Sequence, residues 1–342
     1  MRIKNKEIAK ILGISTTSVS LAIHNRPGVS EDTRTKVLQL LNQTAPANAV
    51  SATIPAQIGS ILLSIHKKTG NVINEKPFFS NLVETIQQEA LSKSYNLTIA
   101  HYTPGQNLQT YIDYINSLSI EGLVLMGTEI DSNDLQSYKQ LSIPIVLLDC
   151  TFDLEEIDSV ALDNQTAIYR AFDYAYKMGH RNIGFLKGLP TINNFRHHMD
   201  GFEKAIFDYD VRQYNHPIIS LPCSIESAQQ EMNHFLDRPP KGFTMPSLFL
   251  ADLDYIAIGA MQALKEHGYR IPEDISIIGY DDVALCEFTD PPLTTTRVNR
   301  NDIGRIAVHQ LINRIRNHNL PCTTTQVSSD LIIRQSVRKV SD

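Results

Sequence analysis

Near the start of the chain, apolar residues recur at helical spacing. Ile8, Ile11 and Leu12 share one face of a predicted short helix. Gly13 ends it, where a residue without Cβ turns most easily. Ser15 then offers an oxygen to cap a second helix, with Val19, Ala22 and Ile23 apolar and Thr16, Thr17 and Ser20 small and polar. A third helix is predicted after Pro27-Gly28-Val29-Ser30. Ser30 caps it, Glu31 and Asp32 suit its positive end, and Val37, Leu38, Leu40 and Leu41 face inward. Two short helices joined by a tight turn form the motif that lays its second helix in a DNA major groove.

From residue 58 the pattern changes to apolar strands alternating with amphipathic helices. Ile58–Ile65, Leu97–Ala100, Gly122–Met126 and Ile145–Asp149 read as buried strands, with helices at 78–94 and 111–117. The rhythm restarts at Val160–Asn164, with helices at 165–178, 199–207, 225–235 and 255–267. Strands fall at 182–186, 218–220, 247–250 and 275–280 between them. The predicted fold class is α/β: a three-helix helix-turn-helix head followed by two doubly wound parallel-sheet subdomains. Such sheets bind ligands at the carboxyl ends of their strands, so two in tandem predict a cleft between them.

Charge sharpens this picture. Residues 1–44 hold seven Lys and Arg against three acids, a net of +4, while the whole 342-residue chain carries −6 and the remainder therefore −10. A basic head on an acidic body suits a head that meets phosphate and a body that does not. The hydrophobic content of 42% and charged content of 20% are those of a soluble globular protein. No signal core or membrane-length apolar run is present, and the four scattered cysteines suit free thiols, so a cytoplasmic location without a membrane partner is expected. The segment 45–57 carries no charge, and Pro46 and Pro55 bracket small residues within it. It reads either as a flexible tether or as a short helix, Asn48 to Ile54, that folds against DNA and drives Ile54 into a minor-groove step.

Enzymatic and metal chemistry find little support. The phosphate-binding fingerprints and the nucleophile elbow are missing, so no cofactor is expected. His197-His198 lacks the spacing of a zinc helix, so no metal is expected. Asp281-Asp282 reads as a ligand anchor beside a structural carboxylate, because adjacent residues point different ways.

These features come together in a resemblance. Asn25-Arg26-Pro27-Gly28-Val29-Ser30-Glu31, Val160-Ala161-Leu162-Asp163-Asn164, Met178-Gly179-His180, Asp200-Gly201-Phe202, Gly279-Tyr280-Asp281-Asp282 and Pro291-Pro292-Leu293-Thr294-Thr295 follow in order. With them the chain resembles the lactose-repressor/galactose-repressor (LacI/GalR) family of bacterial transcription factors over nearly its full length. The resemblance implies a non-enzymatic regulator: a homodimer whose heads read a near-palindromic double-stranded operator and whose body closes on a small effector. It implies a head at 1–45, a hinge at 46–57 and an effector and dimerisation domain at 58–342. Within that domain the first subdomain would be 58–162 plus 293–320, and the second 163–292 plus 321–342. The chain's end at Asp342 lacks the extra leucine-repeat helix of the family's tetramers, so a dimer is expected.

Roles carried over by the resemblance place Thr16 and Thr17 as base readers and Ser20 on base or phosphate. Leu21 stands where an arginine often reads guanine, which removes a contact worth ~1–3 kcal/mol of discrimination. Asn25, Ser30 and Thr33 match phosphate-holding positions, and Ile54 the minor-groove wedge. In the cleft, Phe78, Phe79 and Ser80 match effector contacts, Asp149 ends a strand at the mouth, and Asp281 matches a hydroxyl-binding position. His198 replaces a frequent arginine, with Arg196 nearby, and Asp252 offers an acid. Without a guanidinium fork at 198, a neutral sugar is the expected effector. A cytosolic sugar sensor with a vestigial head is the alternative.

Overall fold

The computed structural model describes residues 5–23, 28–30, 33, 36–37, 59–70, 72 and 77–340; for 5–7, 23 and 77–80 it describes the backbone alone. The chain divides into two compact units at the 57/58 boundary.

In the head, α1 (Asn5–Leu12) and α2 (Thr16–Ile23) flank the turn at Gly13, whose φ of +65° a glycine adopts without Cβ strain. Ser15 Oγ accepts the Ser18 amide at 3.0 Å, and Ser30 Oγ accepts the Thr33 amide at 3.3 Å, so both serines act as helix caps. The small core is Ile8, Ala9, Val19, Ala22 and Val37, with Leu12, Ile14 and Val29 against it. Ile11 departs from expectation: it is 59% exposed, and Ala9 takes the inward position. Small Ala9 lets α1 and α2 approach closely. Leu38, Leu40 and Leu41 lie outside the described residues.

The body opens with β1 (Gly59–His66), α3 (Pro77–Ser92), β2 (Tyr95–Tyr102), α4 (Leu108–Ser117), β3 (Gly122–Met126), α5 (Ser132–Tyr138), β4 (Ile145–Leu148) and β5 (Asp158–Leu162). It continues with α6 (Asn164–Lys177), β6 (Ile183–Leu189), α7 (Asn193–Asp208), β7 (Ile218–Pro222), α8 (Ile225–Asp237), β8 (Leu248–Ala251), α9 (Asp254–Glu266) and β9 (Ser276–Asp281). The last elements are β10 (Thr294–Arg297), α10 (Arg300–Arg316), β11 (Thr324–Val327) and β12 (Asp330–Ile332). Two six-stranded sheets result, ordered β11-β5-β4-β3-β1-β2 and β12-β10-β9-β8-β6-β7. Pairing is parallel throughout except at β10–β12, an antiparallel edge. Central strands such as β3 are buried along their whole length because helices cover both faces, which is why they read as unbroken apolar runs.

The chain crosses between the sheets after β5, as the sequence suggests, but the next two crossings come later than residues 293 and 320. β10 stays in the second sheet beside β9, and β11 returns to the first sheet beside β5. Thr294, Thr295 and Thr296 of β10 are all buried, a placement that polar residues do not advertise. For two of them the cost is offset: Thr294 Oγ1 accepts the Arg334 amide at 2.9 Å, and Thr295 Oγ1 donates to Asp254 at 2.5 Å, while the Thr296 hydroxyl is buried without a hydrogen-bond partner. Helix α7 likewise begins six residues before the expected 199. Phe195, His198, Phe202 and Ala205 form its buried stripe, so two histidines that look like loop residues are helical.

Candidate functional sites

In each sheet the order reverses between two parallel neighbours, β1 and β3 in the first and β6 and β8 in the second. A crevice opens beyond the strand ends at such a point. Here the two crevices face each other across one cavity lined from both sheets, the place where such folds hold small ligands.

Its polar wall comes from both sheets. Asp149 follows β4, with φ +63°, and Asp281 ends β9, with φ +123°. Both occupy the left-handed region, which costs a residue with a Cβ about 1–3 kcal/mol and persists only where the surroundings enforce it. Asp149 is tied back through its amide to Val160 O at 2.9 Å, and Thr128 Oγ1 donates to its carboxylate at 2.7 Å. Burial pushes the Asp149 carboxyl above the usual carboxylate range, while the charge of Arg300 opposes that rise.

Arg300 is the first residue of α10, just past the second crossing, and its guanidinium pairs with Asp281 Oδ1. Asp282 points elsewhere, accepting Arg297 Nε at 2.6 Å and Arg334 Nη2 at 2.7 Å. The adjacent aspartates therefore split into one that faces the cavity and one that fastens the loop. Behind them lies Asp254, fully buried, which accepts the Val283 amide at 2.9 Å and the Thr295 hydroxyl at 2.5 Å. Gly279 makes room for that carboxylate: a Cβ there would collide with Asp254 Oδ1. Burial, reinforced by the charge of Asp281, pushes the Asp254 carboxyl up to about 7.

Beside Tyr280, His198 Nδ1 lies 2.8 Å from Asp252 Oδ1, and Asp252 Oδ2 accepts the Gly188 amide at 2.6 Å. The His198 ring packs 4.2 Å from Tyr280, whose hydroxyl donates to Asn164 Oδ1 at 2.7 Å.

Asp149, His198 and Asp281 of the sequence-derived effector set thus line one cavity. Asp252 does not line it; fully buried, it stands behind His198 as the partner of its ring. Arg196 does not line it either. It is exposed about half a turn away and borders a neighbouring cavity that shares Ile192. The physical reason is helical spacing: two residues apart on α7, Arg196 and His198 point about 200° apart. The backbone of Phe78, Phe79 and Ser80 lies in the first turn of α3, and their side chains are outside the described set. Residues that sequence reasoning missed include Arg300, Asn164, Tyr280, Tyr255, Thr128, Asn194 and Phe195. Asn164 and Tyr280 sit inside motifs already noticed, but Arg300 carried no local signal at all.

In the head, Thr16 and Thr17 are exposed at the start of α2, while Ser20 and Leu21 are half-buried on the following turn. Leu21 packs towards Gly28, and a Cβ at 28 would lie 3.2 Å from its Cδ1. Ser30 is exposed and Thr33 half-buried, while Asn25 and Ile54 lie outside the described residues. All four cysteines are free, and three of them are buried. Among the described residues no group of three or more His, Cys, Asp or Glu could hold a metal, and no helix is long and apolar enough to cross a membrane.

A basic helix-turn-helix head before a two-lobed, hinged ligand domain defines an effector-controlled DNA-binding regulator. Two family models match the chain in that order: bacterial regulatory proteins of the lacI family over residues 5–45, and the periplasmic binding proteins and sugar binding domain of the LacI family over 66–338. The chain belongs to the LacI family of bacterial transcription regulators. It is 27% identical over 343 residues to the HTH-type transcriptional repressor PurR of Mannheimia succiniciproducens, covering 98% of this chain and 99% of that one. Its fold matches that of the transcriptional regulator CelR–cellobiose complex, with TM-score 0.71 and 19% identity, over 98% of this chain and 100% of that one. It also matches the lac repressor dimer bound to operator and the anti-inducer ONPF, with TM-score 0.72 and 21% identity, over 99% and 100%.

Proposed function

We propose that this protein is a cytoplasmic, homodimeric repressor whose affinity for operator DNA is set by a small polyhydroxylated effector, a sugar, bound between the two subdomains. The observation that carries this reading is the convergence of Asp149 and Asp281, both in left-handed backbone, on one cavity with Arg300. Carboxylates accept hydroxyl hydrogen bonds, a guanidinium donates to oxygen, and the rings of Phe195, Tyr255 and Tyr280 offer faces to the apolar side of a sugar. Strain held at two strand ends is a mark of function rather than of packing. The lac repressor dimer on operator and the CelR–cellobiose complex support the partner and effector classes. In the head, Thr16, Thr17 and Ser20 read bases or phosphate, Ser30 and Thr33 hold phosphate, and Leu21 meets the groove only with methyl groups. No observation favours the alternative of a sensor without DNA function.

Effector binding changes the relation between the subdomains, and an effector shifts operator affinity only by its differential affinity for the two arrangements. The test is a mobility-shift titration of the full-length dimer with operator fragments and a sugar panel. The sign of the ligand's effect separates inducer from corepressor. Asp281→Asn is expected to abolish the response to ligand while operator is still bound. A normal response in that variant overturns the cleft assignment.

A further inference from the structure

We propose that Glu129 is a positioning residue of the effector site: it fastens the turn after β1 to the first subdomain, so that Val72 reaches into the apolar cluster of the second and completes the cavity wall. The proposal rests on the effector reading above for what the cavity holds.

The fastening is made largely of backbone groups. After β3 the chain turns tightly, and the Ile130 amide closes the turn on Gly127 O at 3.0 Å. The two polar side chains of that turn divide their tasks. Thr128 lines the cavity and donates to Asp149 at 2.7 Å. Glu129 does not line the cavity and is only 6% exposed. Its Oε2 accepts the Thr69 amide at 2.7 Å, the Gly70 amide at 2.9 Å and the Thr69 hydroxyl at 3.1 Å. Its Oε1 accepts the Val72 amide at 2.9 Å. Both oxygens thus receive backbone N–H groups, and a carboxamide in either orientation would set its own N–H against one of them. The same stretch is held at two further points. The Lys67 amide donates to Tyr102 O at 2.9 Å, and Lys68 pairs with Asp131 and, at 2.8 Å, with Asp134. All of these partners belong to the first subdomain.

Val72 departs from that company. It is 6% exposed, lines the effector cavity, and belongs to one buried apolar cluster with Ile192, Phe195 and Leu253. Among the described residues it is the one buried member of that cluster contributed by the first subdomain. A polar contact joins the same two bodies, from the Asn193 side chain to Thr151 O. When the subdomains part, Val72 stays with the first, tied through its own amide and its neighbours. Its side chain must then leave the cluster of the second and meet water. Closure around an effector returns it. Burial of Val72 therefore belongs to the free-energy difference between the two arrangements, the quantity through which an effector acts. Glu129 enters that difference only by holding the backbone that carries Val72.

The experiment uses the full-length protein as wild type, Glu129→Gln, Val72→Ala and the double variant. Hydrogen exchange resolved to single amides is read without ligand. Thermal shift and calorimetric titration follow with cellobiose, ribose, glucose and galactose. Glu129→Gln should speed exchange at Thr69, Gly70 and Val72 about tenfold or more. It should also speed exchange in the second subdomain at 192–195 and 253–257, where Glu129 has no direct part. Val72→Ala should speed exchange in those second-subdomain segments and leave Thr69 and Gly70 protected; it also serves if the glutamine variant does not fold. The double variant should loosen them no further than Glu129→Gln does, because the glutamate acts through Val72. A sugar that stabilises the wild type should bind each variant about tenfold more weakly. A merely structural glutamate would lower the melting temperature and leave 192–195 and 253–257 at wild-type exchange, which overturns the proposal. So do two effects that add in full in the double variant, or an unchanged affinity for a sugar that binds. Failure of every sugar to stabilise the wild type overturns the effector reading, while the exchange results still decide the role of Glu129.

Discussion

Replacing Asp254 by asparagine is expected to flatten the dependence of stability on pH between about pH 4 and pH 8. Asp254 is fully buried, and its carboxyl titrates near about 7 in place of the ordinary 3.8, chiefly through burial and then through the charge of Asp281. Between those two values the folded protein keeps a proton that the unfolded chain has released. The stability contributed by this group is therefore fully present below about pH 4 and is lost as pH rises through about 7. A separation of about three pH decades corresponds to on the order of 4 kcal/mol in the native state. Asparagine copies the shape of the protonated acid and cannot ionise. Urea denaturation of wild type and Asp254→Asn at pH 4, 6 and 8 measures the difference. The variant should gain on the wild type by a few kcal/mol across the range, with most of the gain between pH 5 and 7 (~4 kcal/mol at the upper bound). Other buried acids, such as Asp149 and Asp252, are raised by the same cause and cancel in the comparison. Asp281→Asn removes a neighbouring negative charge and should move the Asp254 transition to lower pH. Parallel pH profiles for wild type and Asp254→Asn would refute the reasoning.

The remaining expectations concern the head and the floor of the cleft. Lys10→Ala, at the exposed end of α1, should weaken binding to all DNA sequences and reduce the salt slope by about one if the lysine reaches phosphate. Thr17→Ala should instead change which operator bases are tolerated, by on the order of 1 kcal/mol at one position, read out by competition binding. Ser15→Ala deletes the cap of α2 and should cost the head about 1 kcal/mol, seen as a lower melting temperature of that unit and weaker operator binding. Gly279→Ala forces a methyl into Asp254 Oδ1 and to within 3.0 Å of Leu293 Cδ2. It should cost about 1–3 kcal/mol in a denaturation melt and disturb the effector response, because the displaced carboxylate anchors the loop that follows Asp281.

What the sequence determined by itself was whatever nearest neighbours control. The turn at Gly13 and the caps at Ser15 and Ser30 depend on residues one to three positions apart, so the head was readable. The unbroken apolar run of β3 and the largely apolar run of β1 follow from burial on both faces, which any parallel sheet between helices demands, so the two-lobed body was readable as well. Tertiary structure decided the rest. Ile11 looked inward by spacing and points out, because only the packing of α2 on α1 chooses which edge of an apolar stripe is covered. Buried Thr294 and Thr295 are tolerable because Arg334 and Asp254, some forty residues away in either direction, satisfy their hydroxyls. Arg300 lies nineteen residues beyond Asp281 with no local feature to mark it, and the ion pair exists because the chain crosses between sheets just before α10. Hydrogen bonds and charges reach a few ångströms in space without regard to distance along the chain, so the fold could be read from short-range pattern while the chemistry of the cleft waited on the crossings that assemble it.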